Sequence, residues 1–167
     1  MLPLINRILE QPEDGQIKAL VIVPTRELAV QIDQQLEGLS YYTSVSSLAV
    51  YGGGDGQSFD REKKALSEGA DIIIGTPGRL IAHLNMNYVK VGKLEVLVLD
   101  EADRMLDMGF NEDITKIIGY LPKERQTLLF SATMPAKIRE LSKKILKDPE
   151  EISIAISKPN EKIVQAA

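Results

Sequence analysis

The sequence lacks cysteine and tryptophan and has a single histidine among its 167 residues. Without cysteine, neither a disulfide framework nor a thiolate metal site can form, which fits a reducing compartment. Near the start of the chain, Arg7 and Glu10 interrupt a short apolar run, so this stretch predicts neither a signal peptide nor a membrane span. We therefore expect a cytoplasmic protein with no membrane partner.

Positive charge is in the minority, with 20 Lys and Arg against 24 Asp and Glu. The net charge is −4 and the isoelectric point is near 5.1. A protein that binds nucleic acid through its overall field is usually basic, so any such contact here must come from a local surface. The length fits one domain, and a domain of this size buries roughly 70% of its unfolded surface.

The phosphate cradle G-x-x-x-x-G-K-[ST] is missing as well. The only Gly-Lys pair is Gly92-Lys93, which Leu94 follows in place of Ser or Thr, and Asn87 stands where the first glycine belongs. The glycine run 52–54 does not form the G-x-G-x-x-G dinucleotide pattern either.

What the sequence does contain is a repeated alternation of apolar runs and helical patterns. The continuously apolar runs predict strands that are buried on both faces, while the second and last runs alternate more and predict strands near edges. Helices that alternate with buried strands imply right-handed crossovers and an α/β fold with a doubly wound, mainly parallel sheet and helices on both faces. The predicted strands are 19–23, 46–51, 71–75, 95–100, 127–131 and 151–156.

Three helices are predicted between these strands. One begins near Arg26, and another begins at Pro77 with Thr76 placed to cap it. A third follows Pro135, with Ile138, Leu141 and Ile145 on one stripe. We expect one domain over residues 1–157 and a linker, or the start of one, over residues 158–167.

Polar or glycine-rich residues follow five successive strands. In an open parallel sheet, ligands bind beyond the carboxyl ends of the strands, so these residues should share one functional rim. In chain order they are Pro24, Thr25 and Arg26; Gly52 and Gly53; Thr76, Pro77, Gly78 and Arg79; Asp100, Glu101 and Asp103; and Ser131 and Thr133.

Asp100 and Glu101 end a strongly apolar run. A carboxylate at such a strand tip can hold Mg²⁺ against nucleotide phosphates, often through water, and its neighbour can orient or deprotonate an attacking water. The alternative is structural, because acidic residues at a helix N-terminus are favourable through the helix dipole.

The hydroxyls of Ser131 and Thr133 are candidates for bonding Asp103, although Thr133 could equally be a plain helix cap ahead of Pro135. Arg26 and Arg79 each stand at a helix start, where their charge opposes the helix dipole, which favours phosphate binding over a stabilising role. The alternative for each arginine is a solvated surface position. His83, on the same helix as Leu80 and Leu84, is interpreted as structural.

Taken together, these motifs resemble the first RecA-like domain of the DEAD-box ATP-dependent RNA helicases. They occur in the family's order and cover about residues 20–135. They are PTRELAVQI (24–32), Gly52-Gly53, TPGRL (76–80), DEADRMLDMGF (100–110) and SAT (131–133).

The resemblance implies a role for each motif. Asp100 would coordinate Mg²⁺, Glu101 would activate the hydrolytic water, and Asp103 with Ser131 and Thr133 would couple nucleotide state to RNA binding. The remaining rim residues would contact RNA at sugar and phosphate without regard to base sequence. They are Pro24, Thr25, Arg26, Gly52, Gly53, Thr76, Pro77, Gly78 and Arg79.

The sequence departs from the family by lacking the phosphate cradle and the upstream glutamine motif that reads adenine. We therefore expect a piece of a longer helicase that used ATP and Mg²⁺, with weak or no nucleotide binding and no ATPase activity in this chain alone. Its expected partners are RNA and a second RecA-like domain, and a missing cradle strand would leave sheet edges open to self-association. The alternatives are a passive RNA- or protein-binding module that natively lacks the cradle, and a receiver-like or flavodoxin-like domain.

Overall fold

The computed structural model describes residues 1–12, 14–53 and 56–154. Within them, five strands form one sheet in the order β2-β3-β1-β4-β5, and every neighbouring pair is parallel. The predicted α/β class and parallel sheet are therefore confirmed. The strands are β1 (Ala19–Ile22), β2 (Ser47–Val50), β3 (Ile72–Gly75), β4 (Val96–Leu99) and β5 (Gln126–Leu129).

Helices cover both faces of this sheet, as predicted. Helices α1 and α2 pack on one face, and residues of α3 to α7 contribute to the core on the other. The helices are α1 (Leu2–Leu9), α2 (Arg26–Ser40), α3 (Gly56–Glu68), α4 (Pro77–Leu84), α5 (Ala102–Asp107), α6 (Asn111–Tyr120) and α7 (Ala136–Ile145).

The three central strands explain why their sequences are apolar throughout. Every residue of β1, β3 and β4 is buried. Alternate residues face opposite layers: Ala19 and Val21 join the core beneath α1 and α2, while Leu20 and Ile22 join the other core. A strand with a helical layer on each side has no solvent face, so it cannot alternate with polar residues.

Two strand predictions need correction. Strand β5 was expected to be buried on both faces, but it is the last strand of the described sheet, with Gln126 exposed and Thr127 to Leu129 half-buried. The predicted strand 151–156 is not present over residues 151–154, where Ile152 and Ile154 are more than four-fifths exposed. Alternating isoleucines favour a strand only when a neighbouring strand supplies hydrogen bonds, and no described strand pairs with this segment.

Residues 155–156 and the predicted linker 158–167 lie outside the described part of the chain. The predicted helix starts at Arg26 and Pro77 are confirmed, but the Thr76 side chain makes no capping hydrogen bond, whereas Thr25 caps α2 by accepting from the Leu28 N–H. None of the described helices has the length and apolar character needed to cross a membrane.

Candidate functional site

The sheet pairing continues past the strand ends and joins the loops that carry the candidate site. The Thr76 N–H donates to the Val50 carbonyl at 3.1 Å, and the Asp100 N–H donates to the Ile22 carbonyl at 3.0 Å. Further along, the Phe130 N–H donates to the Leu99 carbonyl at 2.8 Å. The loops after β3, β4 and β5 therefore begin at backbone positions fixed by a neighbouring strand. Because all neighbouring strands are parallel, all five loops leave the same edge of the sheet.

The order of the strands sorts these loops into two groups. The loops after β2, β3 and β1 are neighbours, and they carry the residues predicted to contact RNA. The loops after β4 and β5 are neighbours on the other half, and they carry the residues predicted to handle nucleotide and to couple the two sites. Chain order does not give this sorting, because β1 lies between β3 and β4.

Asp100 and Glu101 form a sharp turn at the end of β4. The Glu101 N–H donates to Asp100 Oδ1 at 2.9 Å, and Glu101 itself has φ 50° and ψ 48°, a left-handed conformation unusual for a residue with a side chain. Such backbone strain concentrates at functional sites. The Glu101 carboxylate projects into a partly exposed position, where Oε2 accepts from Arg104 Nη1 at 3.1 Å.

Asp103 links the loop after β4 to the loop after β5. Its Oδ2 accepts from the Thr133 N–H at 3.0 Å and from the Thr133 hydroxyl at 2.8 Å, and its own N–H donates to Ser131 Oγ at 3.2 Å. Burial raises the pKa of the Asp103 carboxyl, but the hydrogen bonds from Thr133, the Arg104 N–H and Ser131 outweigh it and hold the pKa below its usual value.

The hydrogen bonding predicted between Asp103 and the two hydroxyl residues is thus confirmed. Thr133 is not the cap of α7, because Pro135 occupies that position and makes no side-chain capping bond.

Arg26 reaches from the end of β1 toward the end of β2. Its guanidinium lies over the ring of Tyr51 at 4.9 Å from the ring centre. Gly53 has φ +92°, and a side chain there would meet Arg26 Nη1 at 3.8 Å. Since β3 lies between β1 and β2, Arg26 spans the end of β3 and brings its charge next to the glycine loop.

Arg79 is held much more tightly than a solvated arginine. Its side chain is only 14% exposed, Nε donates to Glu62 Oε2 at 2.7 Å, and Nη2 donates to Ser58 Oγ at 3.2 Å. The guanidinium also lies over the ring of Phe59, 4.6 Å from its centre. The charge that the helix dipole disfavours is therefore balanced by a carboxylate from α3.

The other predicted contact residues frame these arginines. Pro24 and Pro77 are buried and fix the starts of their loops, whereas Gly52 and Gly78 are exposed. A side chain at Gly78 would meet no atom within 4 Å, so the backbone at the start of α4 is open to solvent. A ligand can approach it without steric hindrance.

A groove of about 450 Å³ runs between α1 and the β4–β5 side of the sheet, and Asp100 stands in its wall. The remaining lining residues are mostly apolar, and Arg7 is already bound to Glu95 and Gln126. No lysine among the described residues lines this groove, and the sequence lacks the G-x-x-x-x-G-K-[ST] pattern whose backbone N–H groups and lysine hold a triphosphate. It is not a phosphate cradle.

The described residues contain no cluster of three or more His, Asp or Glu side chains that could hold a metal ion unaided. Magnesium in nucleotide sites is usually held by one or two carboxylates together with phosphates and water, and Asp100 is such a carboxylate. The donor set therefore fits Mg²⁺ only as a partner of a bound nucleotide.

Sequence reasoning missed Glu62, Phe59 and Tyr51, which lie against the two arginines. Glu62 is buried, an unusual position for a glutamate, and its spacing of three residues from Phe59 on α3 puts both on one face. The pairing of α3 with α4 could not be read from local sequence.

The fold defines a RecA-like α/β domain with polar and glycine-rich loops at the carboxyl ends of its strands. A solved structure, that of the yeast DEAD-box splicing factor Prp28, superimposes with a TM-score of 0.78 at 30% identity, covering 87% of this chain and 36% of that one. The model of the DEAD/DEAH box helicase family matches residues 1–141. The chain belongs to the DEAD/DEAH box helicase family.

Among curated relatives, the ATP-dependent RNA helicase CshA of Listeria monocytogenes is 47% identical over 92% of this chain. The ATP-dependent RNA helicase DeaD of Klebsiella pneumoniae is 45% identical over 93% of this chain. The matched region is only 28% and 24% of those relatives, so the chain spans about a quarter of their length.

Proposed function

We propose that this chain is the N-terminal RecA-like portion of an ATP-dependent RNA helicase, and that it supplies one half of an RNA-binding surface. The observation that carries the proposal is the strand order, which places the loops after β2, β3 and β1 next to one another at one edge of the sheet. Backbone N–H groups, hydroxyls and the cations Arg26 and Arg79 suffice there to bind phosphates without a basic domain.

Asp100 and Glu101 serve the nucleotide in this proposal. Bound Mg²⁺ would neutralise the developing charge on the phosphates. Asp100 would hold the metal's water shell, and Glu101 would take the proton of the attacking water. Glu101 must leave Arg104 to do so, and their exposed pair is weak enough to break. Asp103, Ser131 and Thr133 would transmit the nucleotide state to the loop after β5.

RNA binding is tested by fluorescence anisotropy with a labelled single-stranded oligouridine at low salt. Arg26→Ala and Arg79→Ala should each weaken binding, and each should reduce the slope of log K against log salt by about 0.7, the value for one lost phosphate contact on single-stranded nucleic acid. Asp100→Asn serves as the control and should not weaken binding. Unchanged affinity in both arginine variants would refute the proposed surface.

The absence of a phosphate cradle predicts that this chain alone neither binds ATP tightly nor hydrolyses it. Calorimetric titration with ATP and Mg²⁺ should give little heat, and phosphate release should match that of the Glu101→Gln variant. Tight, Mg²⁺-dependent binding would contradict this part of the proposal.

The passive-module alternative makes a different prediction about the gene. If the reading frame that contains this chain also encodes G-x-x-x-x-G-K-[ST], the polypeptide it encodes should show RNA-stimulated ATPase activity. A frame without that pattern would favour the passive RNA- or protein-binding module.

Self-association is the remaining part of the proposal, and the position of β5 supports it. The outer side of β5 has no strand partner within the described sheet, and such an edge is a template for pairing. Light scattering behind size exclusion should show concentration-dependent dimers. The N–H groups of Gln126 and Phe130 donate to β4, so by alternation the Thr127 N–H faces the outer side of β5. Replacing Thr127 with proline, which cannot donate there, should reduce the dimers, and a monomer at all concentrations would contradict the idea.

A further inference from the structure

A set of contacts buried between α3 and α4 ends at Arg79 and has no place in the function proposed above. Glu62 Oε2 accepts from two donors of α4, Arg79 Nε and His83 Nε2, each at 2.7 Å. His83 is 1% exposed, and its second ring nitrogen, Nδ1, is hydrogen-bonded to the Tyr88 hydroxyl. The ring of Phe59 stacks on His83 at 4.2 Å and also lies under Arg79.

The donors and acceptors of this cluster match when His83 is neutral and carries its proton on Nε2. Burial lowers the pKa of His83, although hydrogen bonding and charge attraction from Glu62 partly raise it again. With the proton on Nε2, the ring donates to Glu62 and accepts from Tyr88 at Nδ1. Every contact then runs in one direction: Tyr88 donates to His83, His83 donates to Glu62, and Arg79 donates to the same carboxylate oxygen.

The spacing of the residues shows how two helices build the cluster. Phe59 and Glu62 are three residues apart on α3, so they share one face, and Arg79 and His83 are four residues apart on α4. Glu62 thus binds two successive turns of α4 at once. The Arg79 guanidinium is fixed at its Nε edge by Glu62, at Nη2 by Ser58 and on one face by Phe59.

We infer that Glu62 is a positioning residue for RNA binding, which holds the Arg79 guanidinium in one orientation so that its remaining edge meets a backbone phosphate. Immobilising a long side chain on binding has an entropic cost of about 0.5–1.5 kcal/mol, which an arginine already held in place largely avoids; this corresponds to about a 2- to 10-fold gain in affinity. The inference rests on the proposed function, because it assumes that Arg79 contacts RNA.

A competing interpretation of the same contacts makes the opposite prediction. If Glu62 merely neutralised Arg79, removing the carboxylate would free a cation and strengthen RNA binding. If Glu62 served only the packing of α3 on α4, removing it would lower stability without a specific effect on RNA. Affinity and stability together therefore distinguish the three possibilities.

The test compares Glu62→Ala and Glu62→Gln with the parent chain for binding to labelled single-stranded oligouridine, with thermal unfolding followed by circular dichroism. Glu62→Ala should weaken binding about 2- to 10-fold. Glu62→Gln should lose less, because the amide oxygen still accepts from Arg79 Nε. Glu68→Ala is the matched control: it removes the same charge from the same helix, but at an exposed pair with Lys64, and should not weaken binding.

A double-mutant cycle with Arg79→Ala separates positioning from a general structural effect. In the Arg79→Ala background, neither Glu62 substitution should weaken RNA binding further. If Glu62→Ala proves too unstable to measure, the double-mutant cycle is measured with Glu62→Gln, because glutamine keeps an acceptor for the buried His83 N–H.

The outcomes separate the inference from the proposed function. Weaker binding in Arg79→Ala together with unchanged or tighter binding in Glu62→Ala would overturn the positioning role alone. A Glu62 effect that persists without Arg79 would also overturn it. Absence of RNA binding, or no loss in either Arg26→Ala or Arg79→Ala, would overturn the proposed function and the inference together.

Discussion

Asp103 shows how one side chain can join two strand ends. Its carboxylate holds the backbone and the hydroxyl of Thr133, while its N–H is bound to Ser131, whose hydroxyl donates to the Thr133 carbonyl at 2.7 Å. The three residues therefore form a closed set of hydrogen bonds between the loops after β4 and β5. A shift of either loop must break bonds to a charged group. The proposed coupling of nucleotide state to RNA binding needs such a link between the two loops.

Replacing Thr133 with valine tests that contact at constant size. We expect the free energy of unfolding to fall by about 0.5–1.5 kcal/mol, because a solvent-exposed hydroxyl bond to the Asp103 carboxylate is lost. Urea denaturation at neutral pH measures the change. Thr115→Val is the control, since the Thr115 hydroxyl bonds the Asn111 carbonyl on the exposed face of α6. An equal loss of stability there would contradict the importance of the Asp103 contact.

At the scale of elements, glycines show where helix ends and loops approach closely. Gly69 follows α3 with φ +102°, and a side chain there would come within 2.3 Å of the Gly15 carbonyl oxygen. Gly119 lies inside α6 and would meet nothing within 4 Å. The first glycine is required by a left-handed turn against another backbone, whereas the second only adds freedom to the unfolded chain.

Alanine at these two positions should therefore have opposite effects. Gly69→Ala should destabilise the protein by more than about 1 kcal/mol, since both the left-handed conformation and the backbone contact disfavour a side chain. Gly119→Ala should stabilise it by about 0.4–1 kcal/mol. Chemical denaturation measures the change in the free energy of unfolding of each variant. Two changes of the same sign would contradict the described turn.

For the whole molecule, two cores on either side of the sheet supply stability, and their residues differ in how completely they are enclosed. Leu97 on β4 is fully buried, while Leu128 on the edge strand β5 is only half-buried. Leu97→Ala should cost about 2–5 kcal/mol, because a central cavity cannot collapse easily. Leu128→Ala should lower the free energy of unfolding by clearly less in the same denaturation measurement. A larger loss for Leu128→Ala than for Leu97→Ala would contradict the edge position of β5.

Acid sensitivity is a second property of the whole molecule. Asp14 lies between Lys18 at 2.7 Å and Lys93 at 2.8 Å, and so ties the segment before β1 to the segment before β4. Hydrogen bonds from Lys18 and Lys93 hold the pKa of Asp14 well below its ordinary value. Because the pKa of Asp14 is lower in the folded protein than in the unfolded chain, its carboxylate stabilises the fold above the ordinary aspartate pKa. This stabilisation is lost as the pH falls toward the pKa of Asp14 in the folded protein.

Asp14→Asn should accordingly lower the midpoint of thermal unfolding at pH 7, and its difference from the parent should shrink steadily below about pH 4. Glu68→Gln, at an exposed pair, should show little difference at either pH. A difference for Asp14→Asn that is independent of pH would show that the carboxylate's charge is not what matters.

Much of this architecture follows from local sequence. Apolar runs such as 71–75 and 95–100 specified the central strands because a strand covered on both faces has no place for polar residues. Because parallel strands end at one edge of a sheet, the sequence also predicts Asp100 and Arg26 on the same rim. The sequence makes Ser131 and Thr133 candidates for bonding Asp103, but leaves a helix cap at Thr133 equally open.

The tertiary structure alone decided which loops are neighbours and what holds their charged groups. The sequence determined, by itself, the family, the parallel sheet and the identity of the rim, since these depend on periodicity and on motifs that are contiguous in the chain. It did not determine the edge position of β5 or the pairing of Glu62 with Arg79. Both depend on contacts between segments that only the packed fold brings together, and local propensity carries no information about such contacts.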